Sequence, residues 1–278
     1  MTRVGFIGLG SQGGPMARRI VEDGFPLTVW GRRPHTLEAF GDTSAAIVSS
    51  PAEVGAASDI VAICVFSDDD VKEVVLRSDG VLAGLSPGGL VAIHSTVHPR
   101  TCAEVADQAM ARGVTVIDAP VSGGAAAAEE RRLLVMAGGD ERDVDRCRPV
   151  FDTFADPIVH LGPLGSGQMA KAINNLLLAA HMALAIDAFS FAGELGVDQL
   201  GLARALAEGS GGSKAADIIA NSDFEFDDLR RDSSPYFSKD IPIMVDIAKY
   251  RMVPEPQFLI GAARRALPNP TTEVGLPS

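Results

Sequence analysis

Val4-Gly5-Phe6-Ile7-Gly8-Leu9-Gly10-Ser11-Gln12-Gly13 is the stretch that decides the fold. A short strand-like run, Val4–Ile7, leads directly into Gly-x-Gly-x-x-Gly and then into an amphipathic stretch. That strand–turn–helix context gives each glycine a task. Gly8 permits a tight turn, Gly10 lets the backbone approach a pyrophosphate, and Gly13 lets the helix pack close to the strand. The helix start adds free N–H groups and a positive dipole end, both suited to phosphate. Gly8, Leu9, Gly10, Gln12 and Gly13 are therefore the expected cofactor-binding turn. A purely structural glycine turn is the bland alternative, and the flanking strand and helix weigh against it.

Working outward, the next strand candidate ends at Trp30 and is followed by Gly31-Arg32-Arg33-Pro34. A site for NAD usually carries an acid here to bond the ribose hydroxyls. Two guanidinium groups stand in its place, suited to hold a 2′-phosphate. The expectation is NADP as cofactor, with NAD possible.

Strand and helix candidates then alternate through about 160 residues. Strands are expected at Val4–Ile7, Leu27–Trp30, Ile60–Val65, Leu90–Ile93, Val114–Ile117, Leu133–Met136 and Ile158–His160. Helices are expected at Pro15–Glu22, Asp70–Leu76, Thr101–Arg112 and Glu141–Phe151. Such alternation predicts an α/β fold, a Rossmann-type doubly wound parallel sheet. After Gly162-Pro163-Leu164-Gly165 the pattern turns all-α. A long apolar helix from Met169 to about Leu195 leads, a Gly/Ser loop follows at Gly209–Ser213, and the last residues from Pro268 read as a mobile tail. The expected division is a dinucleotide-binding domain over 1–162 and an all-α substrate and oligomerisation domain over 163–278.

The formal net charge of −12 argues against a nucleic-acid partner. Cys64, Cys102 and Cys147 show neither disulfide nor zinc spacing, which fits a reducing compartment. No signal-peptide core precedes the first strand, and the apolar run Leu176–Ile186 is shorter than a bilayer span. The expectation is a soluble, cytoplasmic protein with no membrane partner. Asp68-Asp69-Asp70 reads as a helix N-terminus; His94 and His98 are four apart, but the strand end and Pro99 argue against a helical metal pair, and His160 and His181 have no partner by spacing, so no metal is expected.

In Gly165-Ser166-Gly167-Gln168-Met169-Ala170-Lys171-Ala172-Ile173-Asn174-Asn175, Lys171 and Asn175 share a helix face. Desolvation lowers a lysine pKa toward the range useful for general acid/base work. Taken alone, Lys171 would be read as a lysine snorkelling to solvent.

Four motifs together change that reading: FIGLGSQGGPMARRI, Asp118-Ala119-Pro120-Val121-Ser122-Gly123-Gly124, the lysine helix, and Lys239-Asp240. In order and spacing, from about residue 3 to 250, they resemble the β-hydroxyacid dehydrogenase family, which includes 3-hydroxyisobutyrate and tartronate semialdehyde reductases. The resemblance implies that Lys171 moves the hydroxyl proton and Asn175 orients the substrate. Ser122, Gly123 and Gly124 would hold a substrate carboxylate. Ser95 and Thr96 would line the cleft, and Lys239 would sit near the nicotinamide. The implied partner is a small carboxylate, and the apolar helix suggests a homo-oligomer, dimer or tetramer.

The sequence also departs from the family pattern. Gln12 stands where Met is usual, Arg19 where Asn is common, and Arg131-Arg132 replace a Gly-Thr pair. Pro242 follows Lys239-Asp240 closely enough to bend that helix. The C-terminus is short, and Phe224, Phe226, Tyr236 and Phe237 are candidate walls of the substrate cleft. Rival readings are an imine reductase, whose relatives commonly replace the lysine, a 6-phosphogluconate-type decarboxylase, and a non-catalytic NADP-binding protein.

Overall fold

The computed structural model describes residues 1–267, with backbone alone for residues 232–236. It divides into two compact units, the first ending at Lys171 and the second beginning at Ala172.

In the first unit the chain runs β1 (Val4–Ile7), α1 (Gly13–Glu22), β2 (Leu27–Trp30), α2 (His35–Glu38), β3 (Ala46–Ile47) and α3 (Pro51–Ala56). It continues through β4 (Ile60–Ile63), α4 (Asp68–Leu76), α5 (Val81–Gly84), β5 (Leu90–Ile93), α6 (Pro99–Met110) and β6 (Thr115–Asp118). These six strands form one parallel sheet in the order β3-β2-β1-β4-β5-β6. Strands β1, β4 and β5 are buried along their whole length, as central strands covered on both faces must be. Alternate residues feed two cores: Phe6, Ala62 and Ala92 face one, Ile7, Ile63 and Ile93 the other. The chain winds outward from β1 through β2 and β3, then returns to place β4 on β1's other edge. The crevice beyond the strand ends at this reversal is where such sheets bind ligands.

The rest of the first unit departs from a single sheet. β7 (Val121–Ser122), α7 (Gly124–Glu129), β8 (Leu133–Ala137), α8 (Glu141–Phe151) and β9 (Ala155–His160) follow β6. Strands β8 and β9, expected to extend the parallel sheet, instead form a second sheet in the order β7-β8-β9. The cause is β7, a two-residue strand that pairs antiparallel with β8 and captures it. Asp118 and Gly138 exchange backbone hydrogen bonds at 3.0 and 2.7 Å, joining the end of β6 to the end of β8.

Helix α9 (Ser166–Glu194) is 29 residues long and continuous across the unit boundary. Among the described residues it is the one helix long and apolar enough to cross a membrane, and half of its most apolar window is buried inside the protein. In the second unit it is followed by α10 (Gln199–Glu208), α11 (Lys214–Ala220), α12 (Phe226–Tyr250) and α13 (Gln257–Arg264). Their core gathers Leu176, Ile186 and Phe189 of α9 with Ile219, Phe237, Ile241 and Ile260. Helix α12 runs on through Pro242. Among the described residues no strand follows β9. The tail expected from Pro268 and the side chain of Tyr236 lie outside the described residues.

Candidate active site

The glycine turn has the geometry its spacing predicts. Gly8 sits at φ +102°, and a Cβ there would lie 2.1 Å from the Cys64 carbonyl oxygen. A Cβ at Gly13 would lie 2.0 Å from the Gly8 carbonyl oxygen and 3.0 Å from the Phe6 ring, so only glycine lets α1 pack this close to β1. A Cβ at Gly10 would meet nothing within 4 Å, which leaves open space over the turn. No side chain caps the start of α1, and the buried Gln12 Nε2 has no hydrogen-bond partner. Free backbone donors, an orphaned amide and open space suit an anionic group such as a pyrophosphate.

Beyond β2, Arg32 and Arg33 are exposed. Arg32 lies 3.2 Å from Asp70 and 3.6 Å from Glu73, both on α4. The Asp68–Asp70 run opens that helix, where Ser67 and Asp70 form a reciprocal cap.

At the ends of β5 and β6, buried polar groups hold the loops in place. His94 is fully buried, its Nδ1–H donating to the Ala119 carbonyl at 2.7 Å. It stacks on Phe6 and meets Phe151 and Phe154 edge-on. Burial pushes its pKa down to about 4, so the ring is neutral at pH 7. The Ser95 hydroxyl is buried and accepts the Val65 N–H at 2.8 Å, which ties β5 to β4. Thr96 is half-buried beside it. His98 caps α6, its Nδ1 accepting the Arg100 N–H at 3.0 Å.

Two residues absent from the expected site organise the start of α9. The Asp118 carboxylate, at the end of β6, accepts the N–H groups of Gly165 and Gln168 at 2.6 and 2.7 Å. Burial pushes the Asp118 pKa up to about 6, against the pull of those backbone donors. Gln168, 1% exposed, reaches the end of β5. Its Oε1 accepts the Val97 N–H at 3.0 Å, and its Nε2 donates to the Ser95 carbonyl at 2.8 Å. Lys171 follows within one turn and is 8% exposed.

Ser122 is half-buried at the end of β7. Gly123 and Gly124 are exposed, with φ of +136° and +77°, conformations that favour glycine. Arg131 also adopts a left-handed φ of +59° and forms a two-pronged ion pair with Asp23 at 2.5 and 2.7 Å.

In the second unit, Asn175 donates its amide to the buried Asp240 at 2.5 Å, and Asn174 donates to the Asn175 oxygen at 3.1 Å. Lys239 lies 3.6 Å from the other Asp240 oxygen. Asp240 was visible only as half of a Lys-Asp motif. Its partner is 65 residues away, beyond what local spacing can show. Among the described residues no cluster of His, Cys, Asp or Glu could hold a metal ion.

Residues 3–162 match the family model described as the NAD binding domain of 6-phosphogluconate dehydrogenase. Residues 165–264 match the one described as NAD-binding of NADP-dependent 3-hydroxyisobutyrate dehydrogenase. An NAD-dependent L-serine dehydrogenase of Pseudomonas aeruginosa is 34% identical over 218 residues, covering 78% of this chain and 73% of the relative. A 3-hydroxyisobutyrate dehydrogenase of the same organism is 33% identical over the same shares. The solved structure of Mycobacterium tuberculosis 3-hydroxyisobutyrate dehydrogenase with L-serine superposes with a TM-score of 0.81. It is 29% identical and covers 95% of this chain and 91% of that one.

Proposed function

The chain belongs to the β-hydroxyacid dehydrogenase family, and from that we propose an NADP-preferring oxidoreductase acting on a small β-hydroxyacid or its semialdehyde or keto form. The observation that carries the reading is Lys171. It is a buried amine one turn beyond an α9 start that is bonded to the ends of both β5 and β6. Burying an amine is costly, and a proton-transfer role is the reason best suited to its place.

The bound nicotinamide supplies the hydride chemistry. The residues of this chain do the rest. The Gly8–Gly13 turn holds the pyrophosphate by its backbone, with the Gln12 amide as a further donor. Arg32 and Arg33 receive the 2′-phosphate, and Ser95 and Thr96 line the cofactor side of the cleft. Ser122 and the N–H groups of Gly123 and Gly124 bind the substrate carboxylate. Lys171 Nζ takes the hydroxyl proton as hydride leaves the carbinol carbon, and returns it in the reducing direction. Asn175 orients the substrate, and Lys239 stands near the nicotinamide end.

On this reading residues 1–162 are the dinucleotide-binding domain and residues 163–278 the all-α substrate and oligomerisation domain. Leu177, Leu184 and Phe191, spaced seven apart on α9 and 43%, 57% and 59% exposed, support a homo-oligomer. Three unpaired cysteines fit a cytoplasmic setting.

The test is reduced-cofactor formation from NADP⁺ and NAD⁺ against a panel of small β-hydroxyacids and their neutral alcohol analogues. Turnover confined to the acids, faster with NADP⁺, is expected. Silence across the acids from protein that binds NADPH would remove the reading.

A further inference from the structure

A glutamine side chain that is only 1% exposed needs both ends of its amide satisfied, or it destabilises the fold. Gln168 meets this requirement in an unusual way. Both bonds go to the main chain of one segment, the Val97 N–H and the Ser95 carbonyl, and these flank Thr96. The glutamine thus grips the backbone on either side of Thr96, while its own backbone N–H is held by Asp118 at 2.7 Å. A leucine at this position would bury as much apolar area without fixing the height or rotation of the 95–97 segment. A bifacial amide fixes both, because hydrogen bonds weaken steeply with angle.

Lys171 is three residues further along the same helix, so whatever sets the first turn of α9 also sets the direction of its amine. All of these groups lie in the first unit. We propose that Gln168 is a positioning residue for the dehydrogenase reaction, clamping the Ser95–Thr96–Val97 segment to α9 and thereby fixing Thr96 relative to Lys171. This rests on the proposed roles of Thr96 and Lys171. Gln168 itself touches neither substrate nor cofactor in this account. Its effect is on geometry, where displacement of about 1 Å can cost about a hundredfold in rate.

Two variants test the clamp, with wild type and Lys171→Ala alongside. Gln168→Met keeps the volume and removes both hydrogen bonds. Its kcat is expected to fall tenfold or more, with substrate KM changed less than threefold and NADPH affinity changed less than twofold. Gln168→Glu offers the sharper readout. As a carboxylate it accepts from Val97 but repels the Ser95 carbonyl, whereas as a protonated acid it restores both bonds. Its kcat relative to wild type is expected to rise as pH falls, a recovery that a merely space-filling residue would not show.

Thermal unfolding midpoints ensure that rates are compared on folded protein. Wild-type kcat in Gln168→Met while Lys171→Ala is dead overturns the clamp and leaves the proton-transfer reading standing. Full turnover by Lys171→Ala overturns that reading instead. If Gln168→Met does not fold, a flat relative pH profile in Gln168→Glu overturns the clamp by itself.

Discussion

The Asn175 amide donates to the Asp240 carboxylate at 2.5 Å, so one buried acid on α12 sets the rotation of an amide on α9. Removing that acceptor frees the amide and leaves it short of a partner. Asp240→Ala should lower stability by about 1–3 kcal/mol and reduce kcat/KM tenfold or more, with NADPH affinity little changed. Denaturant unfolding and steady-state kinetics on one preparation measure both. Unaltered kcat/KM would show that the orientation of Asn175 does not matter to turnover.

Arg131 pays for a left-handed backbone, about 1–2 kcal/mol for an L-residue, and its two-pronged contact with Asp23 offsets part of that. The Arg131 guanidinium holds the Asp23 carboxyl below its usual range. Arg131→Gly should therefore change stability by less than about 1 kcal/mol. Asp23→Ala should destabilise the wild type but have almost no effect when Arg131 is already glycine. A double-mutant cycle by chemical denaturation reads this directly, and equal effects of Asp23→Ala in both backgrounds would remove the coupling.

His94 predicts a pH signature. Its folded-state pKa of about 4 lies below the ordinary 6.5, so the unfolded chain takes up a proton first as pH falls. The stability it contributes is whole above pH 6.5 and lost between 6.5 and 4, a change of up to about 3 kcal/mol. Asp118 runs the other way: its pKa is raised from 3.8 to about 6, so its contribution is whole below 3.8 and lost as pH rises through 6. His94→Phe isolates the first effect, since the Asp118 contribution cancels between wild type and variant. The stability advantage of wild type over His94→Phe should shrink steadily from pH 7 to 4. A pH-independent difference would mean that the ring titrates normally.

Arg32 and Arg33 carry the cofactor preference in this account. The exposed Arg32 is shared with the half-buried Asp70 and the exposed Glu73 on α4, at 3.2 and 3.6 Å, contacts that a 2′-phosphate would compete for. Arg32→Ala combined with Arg33→Ala should weaken NADPH binding tenfold or more and leave NADH binding within twofold. Fluorescence titration of the two reduced cofactors decides the matter, and an unchanged NADPH/NADH affinity ratio would refute the assignment.

How far the sequence spoke for itself varied with the range of the interaction. The glycine turn was legible because Gly8, Gly10 and Gly13 act within six residues of one another, and Gly8 and Gly13 each have a close backbone neighbour that excludes a side chain. Strands β1, β2, β4 and β5 were legible as short, bounded apolar runs. Strands β3 and β7 were not, because two residues carry no period. Without β7 in the pattern, β8 and β9 read as further strands of the one parallel sheet, whereas they form a second sheet with β7. The roles of Asp118 and Gln168, which stand inside quoted motifs, were illegible for a different reason. Their partners are backbone groups 47 to 73 residues away, and a backbone partner leaves no mark in the side-chain pattern.

The claim that Lys171 transfers the proton is tested most directly by single-turnover oxidation with Lys171→Ala, using the best acid from the panel and saturating NADP⁺. General acid–base catalysis is worth about 10²–10⁴-fold, so the hydride-transfer rate should fall by at least a hundredfold while NADPH affinity stays within twofold of wild type. A rate within a few-fold of wild type would contradict the account and place the proton transfer elsewhere in the cleft.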